Sequence, residues 1–348
     1  MLTYQATAPG QGAFVEVGTP VPKGDEILVR VRYCGVCGTD YALSSGNSSF
    51  IRNKQATYPI RLGHEWSGVV AAVGPDVRGF EIGDPVVGDN YVSCGVCPAC
   101  QKKDYNGCTG RHHVGTIDPC WPGAFAEYYL APVRHVYKLA PNVSLKEAAF
   151  CEPLSVAWGG VKKMHMDENS VVCVIGTGSI AMAAAALSRY RGAGQVYVIG
   201  RNAFKLEKAL SLGITGTIDT SSSDPVKTLL GLTGGRYADC ILECSGAPST
   251  IGQCLDLAAQ NATVALIGFY ETYVDGLNVD TLVSKQLTLI GIMGEYGNLE
   301  TVSKIMAGFD LRMSGIVTAT LPFSRMDEAL KPADPRRVIK TMVEFPEK

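Results

Sequence analysis

Between residues 171 and 292 short apolar runs alternate with helix-like stretches, and no other feature restricts the possible folds of this chain so strongly. Val171-Val-Cys-Val-Ile175 is wholly apolar, as a parallel strand covered on both faces must be. The Ala-rich stretch Met182–Arg191 reads as a helix, Gln195-Val-Tyr-Val-Ile199 as a strand and Phe204–Leu212 as a second helix. Ala238–Glu243, Ala262–Ile267 and Leu287–Ile292 continue the strands. This alternation predicts a doubly wound parallel sheet. Between the first strand and its helix stands Gly176-Thr-Gly178-Ser179-Ile180-Ala181. The glycines permit a tight turn and a close approach of backbone to a pyrophosphate seated on the helix N-terminus, and Ala181 stands where a third glycine is usual. A bare Gly-x-Gly is a weak signal; the strand before it and the helix after it make a dinucleotide site the expected reading.

The end of the second strand says which dinucleotide. Sheets that bind NAD place Asp or Glu there to hold the ribose 2′-hydroxyl. This chain has Gly200, Arg201 and Asn202, with no carboxylate. Gly200 leaves room, Arg201 can pair with a 2′-phosphate through charge-assisted bonds, and Lys205 adds charge one turn on. NADP is therefore expected in preference to NAD. The alternative is an Arg201 that stacks on adenine or lies in solvent while NAD is used. Ile267, Gly268 and Phe269, with Ile292 and Met293, stand at the ends of two later strands and complete the expected cofactor residues.

Up to about residue 150, Gly and Pro punctuate strand-like segments, among them Glu26–Arg32, Gly68–Val73, Gly83–Gly88 and Phe125–Leu130. That part reads as mostly β, a partly open barrel. Ser44–Gln55 is polar and reads as a surface loop. Beyond Gly294 come a helix over Leu299–Gly308 and a strand near Val338–Val343 that can return to the first domain. Within the β-rich part, Cys94, Cys97, Cys100 and Cys108 are separated by two, two and seven residues. Four thiolates at that spacing close a tetrahedral shell around Zn²⁺ and leave no open position, which makes the expected site structural. A bacterial iron–sulfur run brings its fourth Cys sooner and follows it with Pro, which is not the case here, and disulfides do not suit an intracellular chain.

Three further fragments carry metal-competent side chains: Cys34-Gly-Val-Cys37-Gly-Thr39-Asp40, Gly63-His64-Glu65 and Cys151-Glu152-Pro153. Each is weak alone. A His beside a Glu is usually a satisfied pair, and Glu before Pro usually starts a helix. Together they supply thiolate, imidazole and carboxylate, the donors of a zinc that keeps one position free. The order of these fragments, the four-Cys lobe and the glycine turn resembles the zinc-dependent medium-chain dehydrogenases/reductases over essentially the whole chain. The motifs Gly-Val-Cys-Gly-Thr-Asp, Gly-His-Glu-Trp-Ser-Gly and Cys-Glu-Pro-Leu-Ser-Val-Ala carry the likeness. It points most closely to the polyol branch, the sorbitol, xylitol and galactitol-phosphate dehydrogenases, with threonine dehydrogenases as relatives.

The resemblance implies a GroES-like catalytic domain over 1–155 and 297–348 and a Rossmann domain over 156–296. It implies Cys37 and His64 as ligands of a catalytic zinc, Glu152 and then Glu65 as carboxylates around it, and Thr39 as acceptor of the substrate proton. Two zinc ions per chain, a polyol or ketose substrate and a homodimer or homotetramer follow from it. Tyr91 stands where threonine dehydrogenases carry a relay His, which weakens an amino-alcohol reading. A zinc-stabilised binding protein that has lost its chemistry is the reading outside enzymes.

Composition agrees with a large two-domain protein. The chain has 348 residues, 46% hydrophobic and 18% charged, enough for sizeable cores. A net charge of −2 speaks against nucleic-acid or membrane-surface binding. No apolar run reaches the ~18 residues that span a bilayer. The opening Met1-Leu-Thr-Tyr-Gln lacks the pattern of a secretion signal, so a cytoplasmic protein is expected. His112, His113, His135 and His165 read as surface or loop residues, Cys34 as packing, and Tyr41, Ser44, Phe50, Arg52 and Trp121 as residues of either pocket or core. Arg52 and Lys54 can meet an acidic substrate or lie in a solvated loop.

Overall fold

The structure, a computed structural model, describes residues 1–347. The chain forms two compact units: Met1–Glu152 with Leu299–Ala307 and Thr318–Lys348, and Pro153–Asn298 with Gly308–Val317. The segment Gly308–Val317 thus packs with the second unit.

The second unit is built on a six-stranded sheet in the order 216–219, 195–200, 171–175, 238–243, 258–266, 288–291, every pair parallel. All five residues of Val171–Ile175 are buried, which is why that run contains nothing polar. The helix Ser179–Tyr190 buries eight consecutive residues, Ala181 to Ser188. Its alanines let it lie close on the sheet, whose core includes Val171, Cys173, Ile199, Ile241 and Val264. The strand order reverses at Val171–Ile175, the next strands being added on one side of it and the later ones, from Ala238–Glu243 on, on the other, and ligands of such sheets bind beyond the strand ends at that switch point.

The first unit holds a seven-stranded sheet in the order 136–138, 85–88, 65–73, 26–36, 340–344, 317–322, with Tyr128–Pro132 also on Glu26–Val36. Glu26–Val36 gives its first half to Tyr128–Pro132 and its last residues to Lys340–Glu344, while both halves pair with Glu65–Val73. Two register irregularities along that pairing bend the strand, so the sheet curls toward a barrel without closing. Trp66, Tyr129, Phe125 and Phe345 fill its core. Smaller sheets pair Leu2–Ala8 with Gln11–Glu16 and join Tyr91–Val92, His112–Val114 and Cys120–Trp121. Among the described residues no helix is long and apolar enough to cross a membrane.

Three expectations are revised. The strand expected over Phe125–Leu130 runs over Tyr128–Pro132, because Ala124 and Phe125 donate instead to the carbonyls of Gly63 and Leu62. The polar stretch Ser44–Gln55 contains a helical turn, Ser49–Arg52, capped by Ser48 Oγ, which accepts from Phe50 N at 3.1 Å, with Ser44 and Ser48 buried. His135 is a buried residue, not a surface one, as the site below explains.

Candidate functional site

In the first unit, Cys37 is the N-cap of the helix Gly38–Ser45. Its backbone N–H donates to Asp40 Oδ2 at 2.8 Å, the reciprocal half of a capping box. The other oxygen of Asp40 accepts the N–H of Gly63 at 3.1 Å, so one buried carboxylate ties the Cys37 turn to the residue before His64. Asp40 was read only as part of a motif; an acid three residues past the cap was the available signal. Ligand atoms of Cys37, His64 and Glu65 all lie within 4.8 Å of one another. Glu152 opens the helix Cys151–Val161 and is buried, outside that trio, with Oε1 accepting from Asn90 Nδ2 at 2.5 Å. Thr39 is half-buried in the first turn after Cys37.

The electrostatics describe a place made for a cation. Burial alone would lower the His64 pKa, yet Asp40, Cys37 and Glu152 outweigh it and raise it well above its ordinary value. Burial, with Glu65 nearby, pushes Glu152 up to about 7. Protons are held where negative donors crowd together, and a divalent ion would relieve the same crowding. Thiolate, imidazole and carboxylate in one buried cluster fit Zn²⁺ with an open position.

No motif pointed to Lys340. Its side chain is fully buried, and its Nζ donates to Glu65 and, at 3.3 Å, to the Val36 carbonyl. Glu65 reaches this pair across Gly35, where a β-carbon would stand 2.0 Å from Glu65 Oε2. A lysine at the start of a late strand carries no local mark of such a role; only the pairing of Lys340–Glu344 with Glu26–Val36 delivers it.

The four-cysteine cluster also comes together. Sulfurs of Cys94 and Cys100 are 3.9 Å apart, against an edge of about 3.8 Å for a tetrahedron with metal–sulfur bonds of about 2.3 Å. Backbone N–H groups of Cys94 and Cys97 point at Cys108 Sγ and Cys94 Sγ, at 3.3 and 3.4 Å. Backbone donors bring the Cys97 thiol down to about 6, while burial lifts Cys100 to about 11. His135 braces this lobe from behind. Its Nδ1 lies 2.8 Å from Asp89 Oδ2, and its Nε2 accepts from Ser93 N at 2.9 Å.

Of the residues read as pocket or core, Trp121 is tied down by Nε1 donating to the Leu130 carbonyl at 2.8 Å, and Tyr41 by its hydroxyl to Thr341 Oγ1 at 3.3 Å. Arg52 donates to the nearby Asn47 carbonyl at 2.8 Å.

In the second unit, Gly176 turns the chain at φ +119°, a conformation that side chains rarely adopt, and Gly178 caps the helix Ser179–Tyr190. Ser179 and Ile180 are half-buried in its first turn. Arg201 is exposed just past the strand Gln195–Gly200. Asn202 Oδ1 accepts from Lys205 N at 3.1 Å and caps the helix Ala203–Leu210, so that side-chain oxygen is already engaged. A β-carbon at Gly200 would stand 2.5 Å from Thr177 Cγ2, which ties the missing acid to the residue between the two glycines. Ile267 and Ile292 are buried, whereas Phe269 and Met293 are 65% and 55% exposed.

The profile of the alcohol dehydrogenase GroES-like domain matches residues 23–141, and that of the zinc-binding dehydrogenases matches residues 176–308. Sorbitol dehydrogenase of Halalkalibacterium halodurans is 29% identical over 97% of both chains. L-threonine 3-dehydrogenase of Pyrococcus horikoshii is 31% identical over 95% of this chain and 94% of its own. The crystal structure of galactitol-1-phosphate dehydrogenase from Escherichia coli superposes with a TM-score of 0.86 at 27% identity, covering 99% of this chain and 100% of that one. The chain therefore belongs to the zinc-dependent medium-chain dehydrogenases/reductases, enzymes that oxidise alcohols, and its two folds are the GroES-like and Rossmann types.

Proposed function

We propose that the protein transfers hydride between a secondary alcohol of a polyol, cyclitol or sugar derivative, or the matching ketone, and NADP, which it takes in preference to NAD. The observation that carries this reading is the buried cluster of Cys37, His64 and Glu65, with Thr39 two residues from the thiol. Similarity to a sorbitol and a galactitol-1-phosphate dehydrogenase supports the substrate class.

A zinc ion held by Cys37 and His64, with Glu152 and then Glu65 as the carboxylates around it, would supply Lewis acidity that makes a bound hydroxyl easier to deprotonate. The chain's own groups do the rest. Thr39 accepts the hydroxyl proton as it passes its own on toward solvent. Lys340 pins Glu65, and Asn90 aims Glu152. In the other unit the Gly176 turn receives the pyrophosphate, and Arg201 with Lys205 faces the 2′-phosphate. The Cys94, Cys97, Cys100 and Cys108 lobe holds a second, structural zinc. Twelve unpaired cysteines suit the reducing cytoplasm. Thr288–Gly291 ends the parallel sheet with a free edge, and Val279 and Val283 are exposed on the helix just before it, which suits a homodimer or homotetramer.

Oxidation assays with free and phosphorylated polyols, cyclitols and L-threonine, each with NADP and NAD, test the proposal. Polyol-dependent reduction of NADP is the expected result. Turnover of L-threonine alone would favour the second reading, which the threonine dehydrogenase likeness keeps in play and which Tyr91 opposes. No turnover with any alcohol, at one zinc per chain, would favour a binding protein.

A further inference from the structure

Glu243 ends the strand Ala238–Glu243 and is completely buried, yet neither the sequence reading nor the proposed chemistry uses it. Its Oε1 accepts from Ser245 N at 2.8 Å, Ser245 Oγ at 2.5 Å, Thr250 Oγ1 at 2.9 Å and Gly246 N at 3.2 Å. Its Oε2 accepts from Gly246 N at 3.2 Å and from the Tyr270 hydroxyl at 3.0 Å. The first group of donors belongs to the loop that follows Glu243 and to the first turn of the helix Pro248–Leu257. Tyr270 comes from elsewhere, the segment after the neighbouring strand Ala258–Leu266.

The two segments meet backbone to backbone. A β-carbon on Gly268 would stand 2.3 Å from Gly246 N, and one on Gly246 2.3 Å from the Phe269 carbonyl oxygen. Ile267 N and Gly268 N both donate to the Glu243 carbonyl, at 2.8 and 3.1 Å. Residues 271–279 include no buried side chain, and Tyr273 is 91% exposed. Gly176, in the glycine turn, also lies against this corner, its would-be β-carbon 3.2 Å from Ser245 N.

We propose that Tyr270 is a cofactor-positioning residue: its bond to buried Glu243 latches the segment carrying Gly268 and Phe269 to the strand ends, in the place where the nicotinamide half of the dinucleotide is received. The inference rests on the dinucleotide reading of this sheet. A carboxylate with no access to water cannot exchange a lost donor for a solvent one, so the bond favours the latched arrangement more than a surface bond would. Its loss shifts the latching equilibrium by about 10- to 100-fold. Apparent affinity for a ligand that needs the latched state falls with the fraction that remains latched.

The test is Tyr270→Phe, which keeps the ring and removes the donor. Hydrogen exchange of the amides over 268–279 is measured without cofactor, and binding of NADPH and NADH is followed by their fluorescence. Faster exchange confined to that segment, with a dissociation constant raised at least about fivefold and an unchanged melting temperature, is the expected result. Unchanged exchange would overturn the latch. Faster exchange with unaltered affinity would overturn the positioning role. Failure of the unaltered protein to bind either nucleotide would instead sink the dinucleotide reading, a separate outcome.

Discussion

Single side chains decide both the nucleotide and the integrity of the metal cluster. A charge-assisted bond between Arg201 and a 2′-phosphate is worth about 1.5–3 kcal/mol, or roughly 10- to 100-fold in preference. Arg201→Ala should therefore lose most of the preference for NADP, measured as the ratio of kcat/KM values. Adding Gly200→Asp should turn the ratio toward NAD, but only with Thr177→Ala, because the Thr177 methyl occupies the space the new β-carbon needs. An unaltered enzyme that favours NAD would refute the role of Arg201. Lys340 supports a second prediction. With its Nζ gone, Glu65 keeps a buried charge without its partner, so Lys340→Met should lower the unfolding free energy by about 3–5 kcal/mol in denaturant titrations. Glu65→Gln in the same chain should restore part of that loss. A denaturation midpoint that stays put in Lys340→Met would show that the pair contributes nothing.

At the level of elements, two cysteine-bearing segments look alike in sequence and differ in geometry. The thiols of 94–108 gather with one another and receive backbone N–H groups, whereas Cys37 shares its cluster with an imidazole and a carboxylate. Cys37→Ser should abolish turnover, at least about 100-fold in kcat, with the circular dichroism spectrum retained. Cys100→Ser should lower the melting temperature while the remaining folded protein stays active. A fully active Cys37→Ser protein would remove the catalytic assignment. The parallel sheet was legible because its central strands are buried on both faces, so Val171–Ile175 and Ala238–Glu243 stand in the structure at their expected bounds. The barrel part was less so. Phe125 binds to Leu62 rather than extending its own strand, and the short capped turn at Ser49–Arg52 has too few residues for a helical period to show. Cys37, His64 and Glu65 were readable from short motifs. Asp40 was readable only in part, through its local bond to the Cys37 cap; Asn90, Lys340 and His135 were not, because their roles arise only where segments distant in sequence meet.

The whole molecule is discontinuous, its first unit made from the beginning of the chain and from residues near 300 and beyond 318. Lys340–Glu344 is an interior strand of that unit's sheet, between Glu26–Val36 and Val317–Pro322. A chain ended at Asp334 should keep a protease-resistant second unit and lose the first, as fragments in limited proteolysis would report; survival of both would show that the strand is dispensable.

That placement also orders events at the ribosome. Residues 1–152 leave the exit tunnel long before residues 340–344 exist, so the β-rich unit stays an unfinished sheet with an open edge while the second unit, whose parallel strands are nearly contiguous in sequence, can already close. Cys37, His64 and Glu65 are made early, but Glu65 gains its buried ammonium partner only with residue 340. The final strand is the step that both completes the sheet and neutralises the carboxylate buried beneath it.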